Sequence, residues 1–540
     1  MKKLHKTIGL LLAAVFVLTA VSACAMPAAG TPAPAAPAQE AAAEEAAPAA
    51  AEAEAPAAEA AEEAAAWEGD IDTIEVALMA NTSNEDAFKR VNDAANAITE
   101  KNCGVHADIT FYSFGDYLAQ IGLMMASGEP VDVIGIAFGP ASFTSLTSAG
   151  QLMDITDLLQ EEGKEMYDLM ADYIMADSIN GRIFALPPYR NYASSLYIIM
   201  RTDILEELGL LEKAQNMKTW TEYEEIMAAV KENIPNISPV CAGSNQVIMT
   251  TVGDVFAEDA FADVIQFDNL GDSLRIIDNQ DGHITLLPLN ENKKKEYTMV
   301  KKWYDNDWIN KDSIFNTNDS QDTLMKNGVT FSSIQVSEIG VEIAKQQLVN
   351  YPVTCVEICQ DLLTSTSVNK FGCGIPVKSD DPEAAMRWIN EFYTNPDLEN
   401  ILTFGVEGSD YVVKDGEATY PDGVDAMTVG FHNSDFVVGN YFNCLPWEGQ
   451  GADFRAEAYE NLKAAPISPY LGFAVDQSEL ANAMSALNAI DDEFRGQLCG
   501  GMWTDEVYDK YLSQLNAADV DSYLQAYEDQ LNAWIAATGE

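Results

Sequence analysis

The sequence predicts an α/β fold in two lobes, and three observations predict it. From Ile71 onward, short apolar runs rich in valine and isoleucine alternate with amphipathic helical segments, the pattern of a parallel sheet flanked by helices. The folded part holds about 470 residues of a chain that is 48% hydrophobic, enough for a large core and more than one compact unit. Everything before Ile71 has the composition of an export signal and a tether, so the fold has a definite start.

Residues 1–24 combine a basic start (Lys2, Lys3, Lys6), an apolar run from Ile8 to Val21 and one cysteine approached by small residues. Val21-Ser22-Ala23-Cys24 resembles the lipobox at which bacterial lipoproteins are cleaved and acylated, so the mature chain is expected to begin at a lipidated Cys24. An ordinary secretory signal beside an unrelated cysteine is the alternative. A membrane anchor fits less well, because the run falls short of the roughly 20 residues a spanning helix needs. Residues 25–70 follow, rich in alanine, proline and glutamate, with ten acidic residues between Glu40 and Asp70 and no basic one. Prolines break a continuous helix and like charges repel, so this segment is expected to be a disordered, extended tether.

The elements then come in order. Residues 73–79 read as a buried strand, 84–100 as a helix with Phe88, Val91, Ala95 and Ile98 on one face, and 104–112 as a second strand. A helix over 115–127 and a strand over 131–138 follow. Ligands of such sheets lie beyond the carboxyl ends of the strands, which puts Asn81 and Thr82, Tyr112 to Phe114, and Phe138 to Ser142 at the rim of a cleft. Gly181 supplies a hairpin turn, and Thr219-Trp220-Thr221-Glu222 is a capping box at a helix start. Asp278 to Gly282 lacks the spacing of a calcium loop and reads as a hairpin turn. Asp381-Pro382 and Asn395-Pro396 each place an Asx cap before a proline in a first helical turn. From Val520, apolar residues at Tyr523, Leu524, Tyr527, Leu531, Trp534 and Ile535 form the stripe of a helix packed on a core.

Composition narrows the function. A formal net charge of -55 argues against nucleic acid, anionic lipid headgroups or a polyanionic ligand, and leaves a neutral or cationic one; it also keeps the protein soluble. The seven cysteines after Cys24 show no CxxC pair, their odd count leaves at least one thiol unbridged, and His106, His283 and His432 stand in unrelated contexts, so no metal site or cofactor is expected. The chain carries no phosphate-binding G-x-x-x-x-G-K-[ST] loop, no G-x-S-x-G elbow and no H-E-x-x-H helix. An enzyme is therefore not expected; a surface glycosidase with paired carboxylates is the remote alternative.

The run SGEPVDVIGI, LMDITDLL, NGRIFALPPYRNYASSLYIIMRTDILEELGL and TWTEYEEI from Ser127 to Ile226 resembles extracellular solute-binding proteins of family 1. KKWYDNDWINKD, NGVTFSSIQVSEIG and GIPVKSDDPEAAMRWINEFYTNPDLENILTFGVEGSDY extend the resemblance over the folded region, and the last 100 residues, with GNYFNCLPWEG and SPYLGFAVD, look like the uncharacterised C-terminal domain of the lipoprotein subset. The resemblance implies a type II periplasmic-binding-protein-like fold whose two lobes meet at a hinge. Lobe 1 would comprise residues 71–187 and 374–412, and lobe 2 residues 188–373 and 413–540. It further implies a monomeric receptor, lipid-anchored on the outer face of a bacterial cell membrane, that passes a neutral solute, an oligosaccharide above all, to the permease subunits of an ABC importer. A receptor for peptides or amino acids, or a partner of a sensor kinase, would share the fold.

Sugar recognition asks for aromatic faces beside planar polar groups. Tyr189, Arg190 and Asn191, directly after the crossing at Pro187-Pro188, offer both, as do Trp447 and Glu448 in a turn after Pro446. Phe138, Ser142 and Asn81 are expected on the lobe 1 side. Arg190 as a structural ion pair and Trp447 as a lobe core residue are the plain alternatives. Trp220 is expected to be structural, and Trp303 and Trp308 to pack a helix end.

Overall fold

The computed structural model describes residues 66–538, apart from residues 83, 128–129, 243–254, 257, 273–275, 279–282, 316–318 and 478. The expected signal, Cys24 and most of the expected tether lie outside the described residues, as do residues 279–282 of the expected hairpin turn.

Lobe 1 is built on β1 (Asp72–Ala80), β2 (Val105–Ser113) and β3 (Val133–Ile136), with β1 in the middle and all three parallel. Helix α1 (Glu85–Asn102) lies between the first two strands, starting where the Asn84 side chain accepts the Ala87 N–H. It buries Val91 and Ala95 as its periodicity requires, and Phe88 and Ile98 pack at the edge of the same core. Two buried polar residues on this face are matched to strand β2: Asn96 exchanges hydrogen bonds with both backbone groups of Ala107, and Thr99 donates to the Val105 carbonyl. Helix α2 (Phe114–Ser127) follows β2 without a gap.

Lobe 2 holds a second four-stranded sheet made of β4 (Ser195–Arg201), β5 (Ser238–Val240), β6 (Thr330–Ser337) and β7 (Val353–Gln360), in the order β7-β4-β6-β5. Helix α3 (Trp220–Asn233) covers it, capped by Thr219; Glu222 of the box closes on the Lys218 N–H at 2.7 Å. Trp220 is buried against Phe256, Phe261 and Trp303, a structural place. Strand β8 (Gly372–Gly374) returns to lobe 1 and pairs antiparallel with β3, and helices α4 (Pro382–Thr394) and α5 (Pro396–Phe404) start on the Asp381 and Asn395 caps.

The chain crosses between lobes three times, at residues 184–194, 361–371 and 465–470. The first two crossings are stitched at the lobe 1 end by reciprocal Leu186 and Cys373 backbone hydrogen bonds, and at the lobe 2 end by Asp361 N–H to the Ser194 carbonyl at 2.8 Å. The third runs beside the second: Leu363 donates to the Pro466 carbonyl and Ser468 to the Leu363 carbonyl, each at 2.8 Å.

Two boundaries differ from those read in the sequence. Residues 413–540 do not stay with lobe 2, because Phe431, Val437, Val438, Leu462 and Ala465 belong to the lobe 1 core, Phe431 sitting between Phe88 and Phe111. Only beyond the third crossing does the chain join lobe 2. There α6 (Ala481–Cys499), α7 (Asp505–Ala517) and α8 (Val520–Thr538) share a core with Leu270, Ile276, Leu286 and Tyr297. The stripe Tyr523, Tyr527, Leu531 and Trp534 faces that core. The folded region, in turn, starts before Ile71: Trp67 donates its backbone N–H to the Lys101 carbonyl at 2.7 Å and its ring receives the Arg387 guanidinium at 5.1 Å.

Candidate functional site

The three parallel strands of lobe 1 end at Ala80, Ser113 and Ile136, and the residues just beyond them form one wall of the interlobe cleft. A loop over residues 432–443 lies across these ends: Asn433 donates its amide to the Met79 carbonyl at 2.9 Å, and Asn81 donates to the Ser434 hydroxyl at 3.0 Å. Four phenylalanines from four segments meet there. Phe114 stacks on Phe138 at 5.3 Å, Phe371 sets its edge against both at 6.2 and 6.3 Å, and Phe436 meets Phe371 at 5.7 Å. Phe138 stays 39% exposed and the other three are half-buried, so the rings form a continuous apolar surface open to solvent.

Charged groups border it. Arg190, on the first crossing, directs Nη1 to the Glu338 carboxylate at 3.4 Å and to the Asn191 carbonyl at 2.9 Å, while its Nε has no partner. Glu338 follows the end of β6 and keeps 49% of its side chain in solvent. Desolvation pushes its carboxyl pKa up, against the lowering pull of Arg190 and with help from Asp435. Lys370, beside Phe371 on the second crossing, is likewise exposed but hemmed in; desolvation and then Arg190 push its pKa down, while Glu338 and Asp361 oppose this. Asp435, beside Phe436, is held by Arg455 at 2.6 Å, and that guanidinium lies 3.8 Å over the Tyr441 ring.

Of the residues singled out from the sequence, Phe138, Asn81 and Arg190 stand at this cleft. Tyr189 does not present a free face: it is buried between Tyr173 and Phe442, and its backbone pairs with Asn440. Asn191 is buried, its side-chain Oδ1 accepting the Ala193 N–H and its Nδ2 without a partner among the described residues. Ser142 uses its hydroxyl to accept the Ser145 N–H at 3.2 Å as a helix cap. Trp447 packs in a small separate cluster with Phe404, Tyr420 and His432, and exposed Glu448 accepts the Thr419 hydroxyl at 2.5 Å. Glu338, Lys370, Phe371, Asp435 and Phe436 were missed. The available signal was positional: Glu338 follows a strand end, and Lys370-Phe371 precedes the glycine that opens the returning strand. Among the described residues no group of three or more His, Cys, Asp or Glu side chains could hold a metal ion, and no helix is long and apolar enough to cross a membrane.

Comparison with known proteins agrees with this architecture. Residues 93–404, more than half of the chain, match the family described as bacterial extracellular solute-binding protein, and residues 469–536 match a domain of unknown function, DUF3502. A carbohydrate ABC transporter substrate-binding protein of Streptococcus pneumoniae is 24% identical over 396 residues, which is 73% of this chain and 77% of the relative. The crystal structure of the N-glycan transport solute binding protein NgtS from the same species aligns with 86% of this chain and 99% of its own, at a TM-score of 0.71 and 20% identity. An extracellular solute-binding protein from Bifidobacterium longum subsp. infantis aligns at a TM-score of 0.61 and 13% identity, over 86% of this chain and 98% of its own. With a two-lobed fold, a cleft at the strand ends and a family match over more than half its length, the chain belongs to the bacterial extracellular solute-binding proteins.

Proposed function

We propose that this protein captures an oligosaccharide in its interlobe cleft and delivers it to an ABC importer. The observation that carries the assignment is the open surface of Phe114, Phe138, Phe371 and Phe436, bordered by Arg190, Glu338, Lys370 and Asp435. Aromatic rings lie against the apolar face of a pyranose, and guanidinium, ammonium and carboxylate groups pair with its hydroxyls. The relatives support the ligand class: one is named a carbohydrate ABC transporter substrate-binding protein, and NgtS was crystallised with Man1GlcNAc and with Man5GlcNAc.

No bond is made or broken in this mechanism. A ligand that touches both walls stabilises the closed arrangement by its differential affinity, and the three crossings bend to allow closure. The closed form docks as a monomer on permease subunits, which supply the channel and the ATPase. Lipid at Cys24 and the acidic tether hold the domain outside the membrane.

A thermal-shift screen of the mature chain against neutral oligosaccharides, di- and tripeptides and amino acids, followed by calorimetry, tests this. A ligand present at 100 times its Kd stabilises the folded state by about 2.7 kcal/mol, enough to move the melting point visibly. A shift with an oligosaccharide series is expected; a shift with peptides or amino acids alone would overturn the ligand class.

A further inference from the structure

Resting on the oligosaccharide assignment, we propose that Lys370 is the specificity-determining residue of the cleft: its ammonium donates to a neutral oxygen, hydroxyl or acetamido carbonyl, of the sugar unit that lies on Phe371.

Three observations carry this. First, Lys370 and Phe371 are consecutive on the second crossing, so a ring platform and a three-donor cation are presented by one stretch of chain, tied to the first crossing through Leu186 and Cys373 and to the third through Leu363. Second, the neighbouring arginines are already engaged, Arg190 with Glu338 and Arg455 with Asp435, whereas among the described residues Lys370 forms neither a hydrogen bond nor a salt bridge. It remains solvent-exposed, next in the chain to Phe371 and within electrostatic reach of Arg190, Glu338 and Asp361.

Third, charged groups of both signs face Lys370. Arg190 is the other cation acting on it, and Glu338 and Asp361 are the anions. Asp361 is itself buried, with one oxygen accepting the Ser194 hydroxyl at 2.7 Å. Groups of both signs therefore surround the place a ligand atom would take on Lys370. A ligand carboxylate placed on Lys370 would also approach Glu338 and Asp361, and a ligand amine placed between those acids would approach Arg190. A hydroxyl or amide oxygen meets neither penalty and satisfies the free donor.

The test is calorimetry on the mature chain and on Lys370→Met and Lys370→Arg, with Man5GlcNAc and maltopentaose as neutral probes, trigalacturonate as an acidic one and a glucosamine trimer as a cationic one. A charge-assisted hydrogen bond corresponds to about a 10- to 100-fold change in affinity. Expected are tight binding of a neutral saccharide by the wild type, a loss of that size in Lys370→Met, substantial retention in Lys370→Arg, and unchanged melting of the ligand-free variants. Undiminished affinity in Lys370→Met, or preference of the wild type for trigalacturonate or the glucosamine trimer, overturns the proposal while leaving oligosaccharide binding in place. Silence of the wild type toward every saccharide overturns the assignment beneath it as well.

Discussion

The backbone N–H of Asn440 donates to the carboxyl of Glu399 at 2.8 Å, fastening the loop that carries Asp435 and Phe436 to helix α5. Glu399 is wholly buried, and Gly439 passes so close that a Cβ there would stand 2.2 Å from Glu399 Oε2. Burial pushes the Glu399 pKa from 4.5 up to about 8, despite the opposing hydrogen bonds of Asn440, Cys444 and Thr403.

A titration of stability follows from that pair. The folded state holds a proton that the unfolded chain releases near pH 4.5, so this contribution to stability is fully present below that value and is lost as pH rises toward about 8. Glu399→Gln keeps an acceptor for Asn440 and cannot ionise. The melting temperature of the wild type, relative to Glu399→Gln, is expected to fall between about pH 5 and pH 8. Parallel curves would show that Glu399 is ionised in the fold.

Gly372 opens the strand that returns to lobe 1. Its φ is +142°, and a Cβ would meet the Leu186 carbonyl oxygen at 2.1 Å, in the ladder that joins two crossings. Gly372→Ala is expected to cost about 2–3 kcal/mol in denaturant unfolding. Gly181→Ala is the control: its φ of +76° is strained, but nothing lies within 4 Å, and about 1 kcal/mol is expected.

Trp447 and Phe371 separate stability from recognition. Trp447 packs 4.4 Å from His432 and 4.8 Å from Tyr420, off the cleft surface. Trp447→Ala is expected to destabilise by about 3 kcal/mol and leave saccharide affinity unchanged, whereas Phe371→Ala should weaken affinity by at least tenfold. Calorimetry beside thermal melting distinguishes them, and the reverse pattern would move the binding surface to Trp447.

Trp67 marks where the described fold begins to pack. Trp67→Ala removes the ring stacked on Arg387. It is expected to cost about 1 kcal/mol or less, and to admit protease as far as Ile71, which limited proteolysis with mass spectrometry measures.

Lobe 1 was largely legible because its signals are local. The strand expected over 73–79 spans 72–80, the helix over 84–100 spans 85–102, and the two Asx-Pro caps start helices where they should. The path of residues 429–465 was not, since Phe431 and Leu462 have the same apolar character whichever core receives them. Tyr189 failed as a surface residue for a similar reason: an aromatic after a crossing strand suits a cleft or a core equally, and of the rings that bury it, Tyr173 and Phe442, the second is distant in sequence.

By itself, the sequence determined the alternation of strands and helices and the resemblance to the solute-binding family, because each depends on composition or on spacing within a few turns of chain. Only the tertiary structure decided the cleft. Phe114, Phe138, Phe371 and Phe436, and the charges on Arg190, Glu338, Lys370 and Asp435, come from segments hundreds of residues apart and meet because the chain crosses between lobes three times. Contact between such segments is a property of the packed chain, which no local pattern encodes.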